Sequence, residues 1–223
     1  MTGSITERIA QIRQQLPPDV RLIAVTKRVS VEAIREAYQA GVRDFGESQV
    51  QEAAAKQDEL QDLPDITWHL IGHLQSNKVK KALTQFQWIH SCDSLKLAQR
   101  LNQLAGEFAV SPQICLQVKI MPDPHKYGWT IPELLEALPE LDQCKALQIQ
   151  GLMTIPPLGL SPQKTLGVFE RTRDLADEIG QQNWSNLRMH QLSMGMSEDY
   201  ALAIQAGATM VRLGRIIFGE RGD

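Results

Sequence analysis

Short apolar runs and amphipathic stretches alternate along the chain. Arg21-Leu22-Ile23-Ala24-Val25-Thr26-Lys27 is apolar almost without a break before its terminal lysine. So short a continuous run is the pattern of a strand buried on both faces in a parallel sheet. Further strand-like runs lie at 44–48, 67–72, 88–93, 114–120, 147–154, 188–194 and 209–214. Between them, apolar residues recur at helical spacing. Ile5, Ile9, Ile12 and Leu16 share one face of an opening helix over 5–15, which Thr6 or Ser4 can cap and Pro17-Pro18-Asp19 stops. Further helices are predicted over 30–41 (Ser30 as cap, Gly41 as stop), 50–60, 77–85, 94–105, 131–138 (Pro132 in its first turn), 161–181 (Ser161 as cap, Pro162 next) and 198–206.

Eight strands alternating with helices in 223 residues are the count of a single (β/α)8 TIM barrel, an α/β fold, at the lower end of its size range. An open doubly wound sheet would want a Gly-rich loop after its first strand, and no GxGxxG is present. No linker or composition shift divides the chain, so 1–223 is expected to form one domain.

Composition narrows the function classes. Hydrophobic residues make up 43% and charged residues 22%, enough to fill a core. The net charge of −3, from 23 basic and 26 acidic residues, offers no field for nucleic acid or an anionic membrane surface. Lys78-Val79-Lys80-Lys81 reads as a solvated helix face. Cys92, Cys115 and Cys144 are far apart and lack metal-type spacing, so no metal site is expected. No apolar run approaches the ~20 residues of a membrane span. The opening Met1-Thr2-Gly3-Ser4-Ile5-Thr6-Glu7-Arg8 has no apolar signal core. A cytoplasmic location is the expectation.

In this fold, chemistry sits at the carboxyl ends of the strands, with a phosphate cradle after strands seven and eight. After the seventh run comes Ser193-Met194-Gly195-Met196-Ser197-Glu198, with two hydroxyls, a glycine to turn amides inward, and Ser197 as a cap for the next helix. The eighth ends in Arg212-Leu213-Gly214-Arg215, a fixed cation beside a glycine. Lys27 has two readings. It marks where its strand reaches water, or its amine lies in a desolvated mouth, where a lowered pKa lets it form an imine with an aldehyde. An amine and a phosphate cradle in one mouth suit pyridoxal phosphate.

Several stretches are similar to the pyridoxal phosphate homeostasis protein family: Ala24-Val25-Thr26-Lys27, Phe45-Gly46-Glu47, Trp68-His69-Leu70-Ile71-Gly72-His73-Leu74-Gln75-Ser76-Asn77-Lys78, Gly151-Leu152-Met153-Thr154-Ile155-Pro156, Leu192-Ser193-Met194-Gly195-Met196-Ser197 and Val211-Arg212-Leu213-Gly214. The resemblance covers the chain end to end. It implies a barrel like the N-terminal domain of fold-type III alanine racemase and a lysine imine to pyridoxal phosphate at Lys27. It implies phosphate contacts from Ser193, Met194, Gly195, Arg212 and Gly214. The family commonly has Glu-Asn where this chain has Glu47-Ser48, so contact from Ser48 to the cofactor ring is expected to be weaker.

Other residues keep open readings. Met153 leans on the cofactor or belongs to the core. His69 and His73 are ligands of the mouth or hydrogen-bonded structural histidines, the latter favoured. Glu47 orients a neighbour or is a loop carboxylate. Lys126-Tyr127-Gly128 is a lid or a turn-rich loop.

Racemases resembling this barrel use a second acid/base tyrosine from an added β-domain of the partner subunit. This chain runs only to Asp223 and has Tyr38, Tyr127 and Tyr200 as its tyrosines. Deprotonating one face and reprotonating the other needs two groups. The expectation is therefore a non-enzymatic, monomeric holder of pyridoxal phosphate in vitamin B6 homeostasis and amino-acid and keto-acid balance. Its partners would be pyridoxal-phosphate-dependent apoenzymes or a regulatory protein. The alternative is a weak amino-acid racemase.

Overall fold

The computed structural model describes residues 3–219, so Met1, Thr2 and the end of the chain at Asp223 lie outside the described residues. Each apolar run forms a strand: β1 Arg21–Val25, β2 Asp44–Glu47, β3 Thr67–Leu70, β4 Trp88–Cys92, β5 Gln113–Gln117, β6 Gln148–Met153, β7 Leu187–Ser193 and β8 Met210–Leu213. They pair in chain order, all in parallel, and β1 closes on β8, giving a barrel. The connecting helices are α1 Ile5–Gln15, α2 Val31–Gln39, α3 Val50–Glu59, α4 Val79–Gln85, α5 Leu95–Phe108, α6 Ile131–Asp142, α7 Pro162–Gly180, α8 Tyr200–Gln205 and α9 Arg215–Phe218.

Local chemistry starts the helices where the sequence indicates. Ser4 caps α1 in a reciprocal box with Glu7, and Thr130 does the same for α6 with Glu133. Ser30, Ser94 and Ser161 accept from the third amide of α2, α5 and α7. Each such cap is worth about 1 kcal/mol.

Some boundaries differ from expectation. Helix α6 runs past Leu138 to Asp142 with Pro139 inside it. Burial of Leu138 and Leu141 against the core outweighs the bond that the proline removes. Helix α8 begins at Tyr200 with Asp199 as its N-cap residue, not at Glu198 behind a Ser197 cap. The four-residue α9 after β8 was not anticipated. Among the described residues, no helix is long and apolar enough to cross a membrane.

The main core lies between strands and helices, with Phe45, Phe169, Leu101, Ile114 and Leu134 fully buried. A smaller cluster of Ile23, Trp88, Cys115, Met153 and Met210 fills part of the barrel interior. The rest of that interior is polar. His69, His90 and Ser193 are fully buried there, and Arg212 is 4% exposed.

Candidate functional site

A cavity of about 460 Å³ opens at the carboxyl ends of the strands. Lys27 stands two residues past β1, Ser48 follows β2, Ile71 follows β3, and Ile155-Pro156 follow β6. Met196 to Asp199 supply the wall after β7, and Gly214-Arg215 the wall after β8, with Arg212 also lining the cavity. The loops after β2 and β3 meet closely. A Cβ on Gly72 would lie 2.1 Å from the Ser48 carbonyl oxygen, so only glycine permits this approach.

Lys27 is held from both sides by a clasp. Lys56 on α3 donates to the Thr26 carbonyl at 2.6 Å, to Glu47 Oε1 at 2.7 Å and to Glu52 Oε1 at 2.7 Å. The Thr26 hydroxyl donates to the same Glu47 oxygen at 2.6 Å, and the Arg28 amide donates to Glu52 at 2.5 Å. Both neighbours of Lys27 are thereby tied to carboxylates that one buried ammonium organises. Burial pushes the Glu47 carboxyl above its ordinary range, while Lys56 and Thr26 pull against that. Glu47 therefore orients a neighbour of Lys27.

Arg212 donates through Nη1 to Ser193 Oγ at 2.7 Å and through Nη2 to the Thr154 carbonyl at 3.0 Å. Desolvation draws its pKa down to about 10. On the wall after β7, Asp199 accepts the Met196 amide at 2.6 Å, and burial raises its carboxyl. Ser197 Oγ accepts the Ile216 amide of α9 at 3.4 Å, joining the loop after β7 to the helix after β8. The first amides of α9 lack intrahelical partners, as in any helix, and favour an anion.

The cavity brings together Lys27, Ser48, Arg212 and Gly214 among the residues singled out from sequence. Ser193, Met194, Gly195 and Met153 are buried and do not line it. The Ser193 hydroxyl is engaged inside the barrel with Arg212 and with His90 Nδ1, 2.7 Å away. Gly195 takes a positive φ of 91° at the bend that carries the chain to Met196, so the wall is formed one to four residues later than the motif suggested. Met153 packs with Ile23 and Trp88 in the interior cluster.

His69 is the hydrogen-bonded interior histidine that its strand position suggested: Nε2 lies 2.9 Å from Asp44 Oδ1, and Nδ1 lies 2.9 Å from His90 Nε2. His73 stacks on Tyr127 at 3.6 Å and bonds Asp93 at 2.9 Å; neither ring lines the cavity. Lys126 reaches the Pro156 carbonyl at 2.5 Å, pinning the loop after β5 to the loop after β6. Tyr200 donates to Gln15 at 2.6 Å, and Tyr38 bonds Asp65, both away from the mouth.

Sequence reading missed His90, Asp44, Lys56, Glu52 and Asp199. His90 alternates with Trp88 along β4, and that period-two spacing was the available signal for an inward position. Lys56 reads from sequence as an ordinary helix lysine; only the tertiary packing of α3 buries it.

The model of the family "Alanine racemase, N-terminal domain" matches residues 2–222. The "Pyridoxal phosphate homeostasis protein" of Synechocystis sp. is 51% identical over 212 residues, which are 95% of this chain and 96% of that protein. PipY of Synechococcus elongatus PCC7942, solved with pyridoxal phosphate (PLP) bound, is 54% identical with a TM-score of 0.93, covering 97% of this chain and all of that one. An alanine racemase of Clostridium difficile 630 shares the fold at 14% identity and a TM-score of 0.75, over 99% of this chain and 56% of the racemase.

Proposed function

The chain belongs to the alanine racemase N-terminal domain family and, within it, to the pyridoxal phosphate homeostasis proteins, and on that premise we propose that it binds pyridoxal phosphate reversibly at Lys27 and serves vitamin B6 homeostasis without catalytic turnover. The observation that carries the reading is the cavity that places Lys27, Arg212 and the Ser197–Gly214 corner around one space.

The residues present fit the cofactor. The cavity of about 460 Å³ accommodates a substituted pyridine and its phosphate. Ser197, Gly214 and Arg215 offer a hydroxyl, backbone amides and a guanidinium for a phosphate at the end of β8. Apolar Val25, Ile71 and Ile155 suit the faces and edges of a ring. When bound, the cofactor supplies an aldehyde that condenses reversibly with a primary amine and releases water. Lys27 offers that amine from a backbone that Thr26, Glu47, Glu52 and Lys56 hold still. Ser48 would offer the cofactor only a short hydroxymethyl from the cavity wall. Ser193 acts from behind the wall by holding Arg212, and Met194, Gly195 and Met153 are buried without lining the cavity.

The carrier reading rests on what faces Lys27. Among the described residues, no tyrosine or histidine lines the cavity, and racemisation needs a second group opposite the first. Glu198 and Asp199 are the carboxylates there, and Arg215 pairs with Glu198. The wider reading is a single domain over 1–223 that works as a monomer in the cytoplasm and supplies apoenzymes or a regulatory partner.

The test is a visible absorption spectrum of the protein incubated with pyridoxal phosphate, beside Lys27→Ala, before and after borohydride, with mass analysis of the tryptic peptides. A visible band lost in Lys27→Ala, and a pyridoxyl mass on the Lys27 peptide, are expected. A label on another lysine would sink the assignment. Exchange of the α-hydrogen of amino acids in heavy water, if catalysed by the loaded protein and lost in Lys27→Ala, would favour the racemase alternative.

A further inference from the structure

The barrel interior holds an unbroken polar chain that the binding site does not explain. Arg212 Nη1 lies 2.7 Å from Ser193 Oγ, Ser193 Oγ 2.7 Å from His90 Nδ1, His90 Nε2 2.9 Å from His69 Nδ1, and His69 Nε2 2.9 Å from Asp44 Oδ1. Its members come from β8, β7, β4, β3 and β2, so the chain crosses the barrel. It starts at the cavity, which Arg212 lines, and ends at Asp44 on the first residue of β2, at the opposite face. Trp88 stacks on His69 at 5.8 Å, and Arg21 lies over Trp88 at 5.3 Å and 3.8 Å from Asp44.

With both buried histidines neutral, the Asp44 end fixes every proton along the chain. A guanidinium only donates, and a carboxylate only accepts. Arg212 donates to Ser193 Oγ, and the Ser193 hydroxyl donates a hydrogen bond to His90 Nδ1. A ring nitrogen that accepts carries no proton, so His90 is protonated at Nε2 and donates to His69 Nδ1. His69 is then protonated at Nε2 and donates to Asp44. Each histidine is neutral and locked in one tautomer. The reverse order would need protons on both nitrogens of His69, one toward Asp44 and one toward His90, an imidazolium that its complete burial disfavours.

We propose that Ser193, His90, His69 and Asp44 are positioning residues, a one-way hydrogen-bond chain that holds the Arg212 guanidinium in a single orientation at the cavity. This deepens the reading of a pyridoxal phosphate site and rests on it for its functional consequence. The chain places a lone pair toward the mouth at every link and a carboxylate at its far end. It thereby counters the buried cation, which among the described residues has no carboxylate in hydrogen-bond contact. It also uses up the Ser193 proton, so Ser193 has none to give a phosphate. Any ligand atom that meets Arg212 must accept.

The surroundings of the histidines support their neutrality. Burial lowers the pKa of both; Asp44 opposes this at His69, whereas Arg21, Arg212 and the neighbouring His69 add to it at His90. Cys115, also inside the barrel, is held as a thiol, its pKa pushed up to about 12 by burial.

Two measurements test the proposal. The first is nitrogen NMR of the protein labelled with 15N-histidine, without cofactor. His69 and His90 are expected to be neutral and protonated at Nε2 at pH 7, with signals assigned through single His→Gln variants. An imidazolium or an Nδ1–H tautomer at either position at pH 7 overturns the proposal. The second is equilibrium dialysis of pyridoxal phosphate against His90→Phe and His90→Gln. Phenylalanine breaks the chain and is expected to weaken binding by about tenfold or more, as loss of an orienting partner does elsewhere. Glutamine can accept from Ser193 and donate to His69, and is expected to restore affinity to within about threefold of the parent. Parent-like binding by His90→Phe, or glutamine no better than phenylalanine, overturns the positioning role. Should no form of the protein bind pyridoxal phosphate, the site reading fails and with it the role assigned to the chain. The NMR result then reports only the chain's proton order.

Discussion

Replacing Lys56 by methionine tests whether the clasp around Lys27 is organised by one buried charge. The Lys56 side chain is 9% exposed and its partner Glu47 is 0% exposed, 2.7 Å away. Methionine keeps most of the volume and removes the ammonium. Glu47 is then left buried without its cation, and the Thr26 carbonyl and Glu52 lose the same donor. Removing one partner of a buried pair costs about 3–5 kcal/mol. With about 2–4 °C per kcal/mol for a chain of this size, the melting temperature at pH 7 should fall by roughly 6–20 °C.

The loss has a pH signature. Burial already raises the Glu47 carboxyl above the 4.5 of an open glutamate, and without Lys56 it rises further. A group that binds its proton more tightly when folded adds stability below the unfolded pKa, and this is lost as pH rises through the folded pKa. The deficit of Lys56→Met relative to the parent should therefore shrink from pH 7 to pH 5, and Glu47→Gln in the same background should recover part of it at pH 7. Urea unfolding of the three proteins at both pH values measures this. A deficit below about 1 kcal/mol at pH 7, of the size of an exposed pair, or one that does not change with pH, would refute the reasoning.

Gly72→Ala would place a Cβ 2.1 Å from the Ser48 carbonyl oxygen, so the loops after β2 and β3 must part. It should cost about 1–3 kcal/mol in thermal unfolding and weaken pyridoxal phosphate binding. Gly167→Ala, in α7 with nothing within 4 Å of the added methyl, should instead stabilise by about 0.5–1 kcal/mol in the same assay and leave binding unchanged. Cys92, Cys115 and Cys144 are all buried, and burial raises each thiol pKa. A thiol reagent at pH 8 should label none of the three in the folded protein within minutes and all of them in denaturant; rapid labelling of the folded form would contradict the burial.

The barrel was legible because its signals are local. The run from Arg21 to Lys27 is apolar enough to need cover on both faces, and Ser30 and Ser161 announce the next helices within three residues. Lys27, Arg212 and Gly214 were legible because a barrel puts strand ends at one face. Ser193 was misread as a hydroxyl of the mouth. A side chain at the end of a strand can turn inward or outward, and the buried Arg212 and His90 draw it in.

By itself the sequence determined the order and kind of the elements, the strand count of an eight-stranded barrel, and the lysine at the tip of the first strand. Periodicity, caps and strand ends act over a few residues and are written in the chain. Tertiary structure alone decided which side chains share the interior. It buried Lys56 beneath the Lys27 loop, although that lysine lies on a helix, and it aligned Arg212, Ser193, His90, His69 and Asp44 from five strands. Those contacts join residues up to 103 positions apart. Their strength comes from desolvation and hydrogen-bond direction, which arise only once the barrel has closed around them.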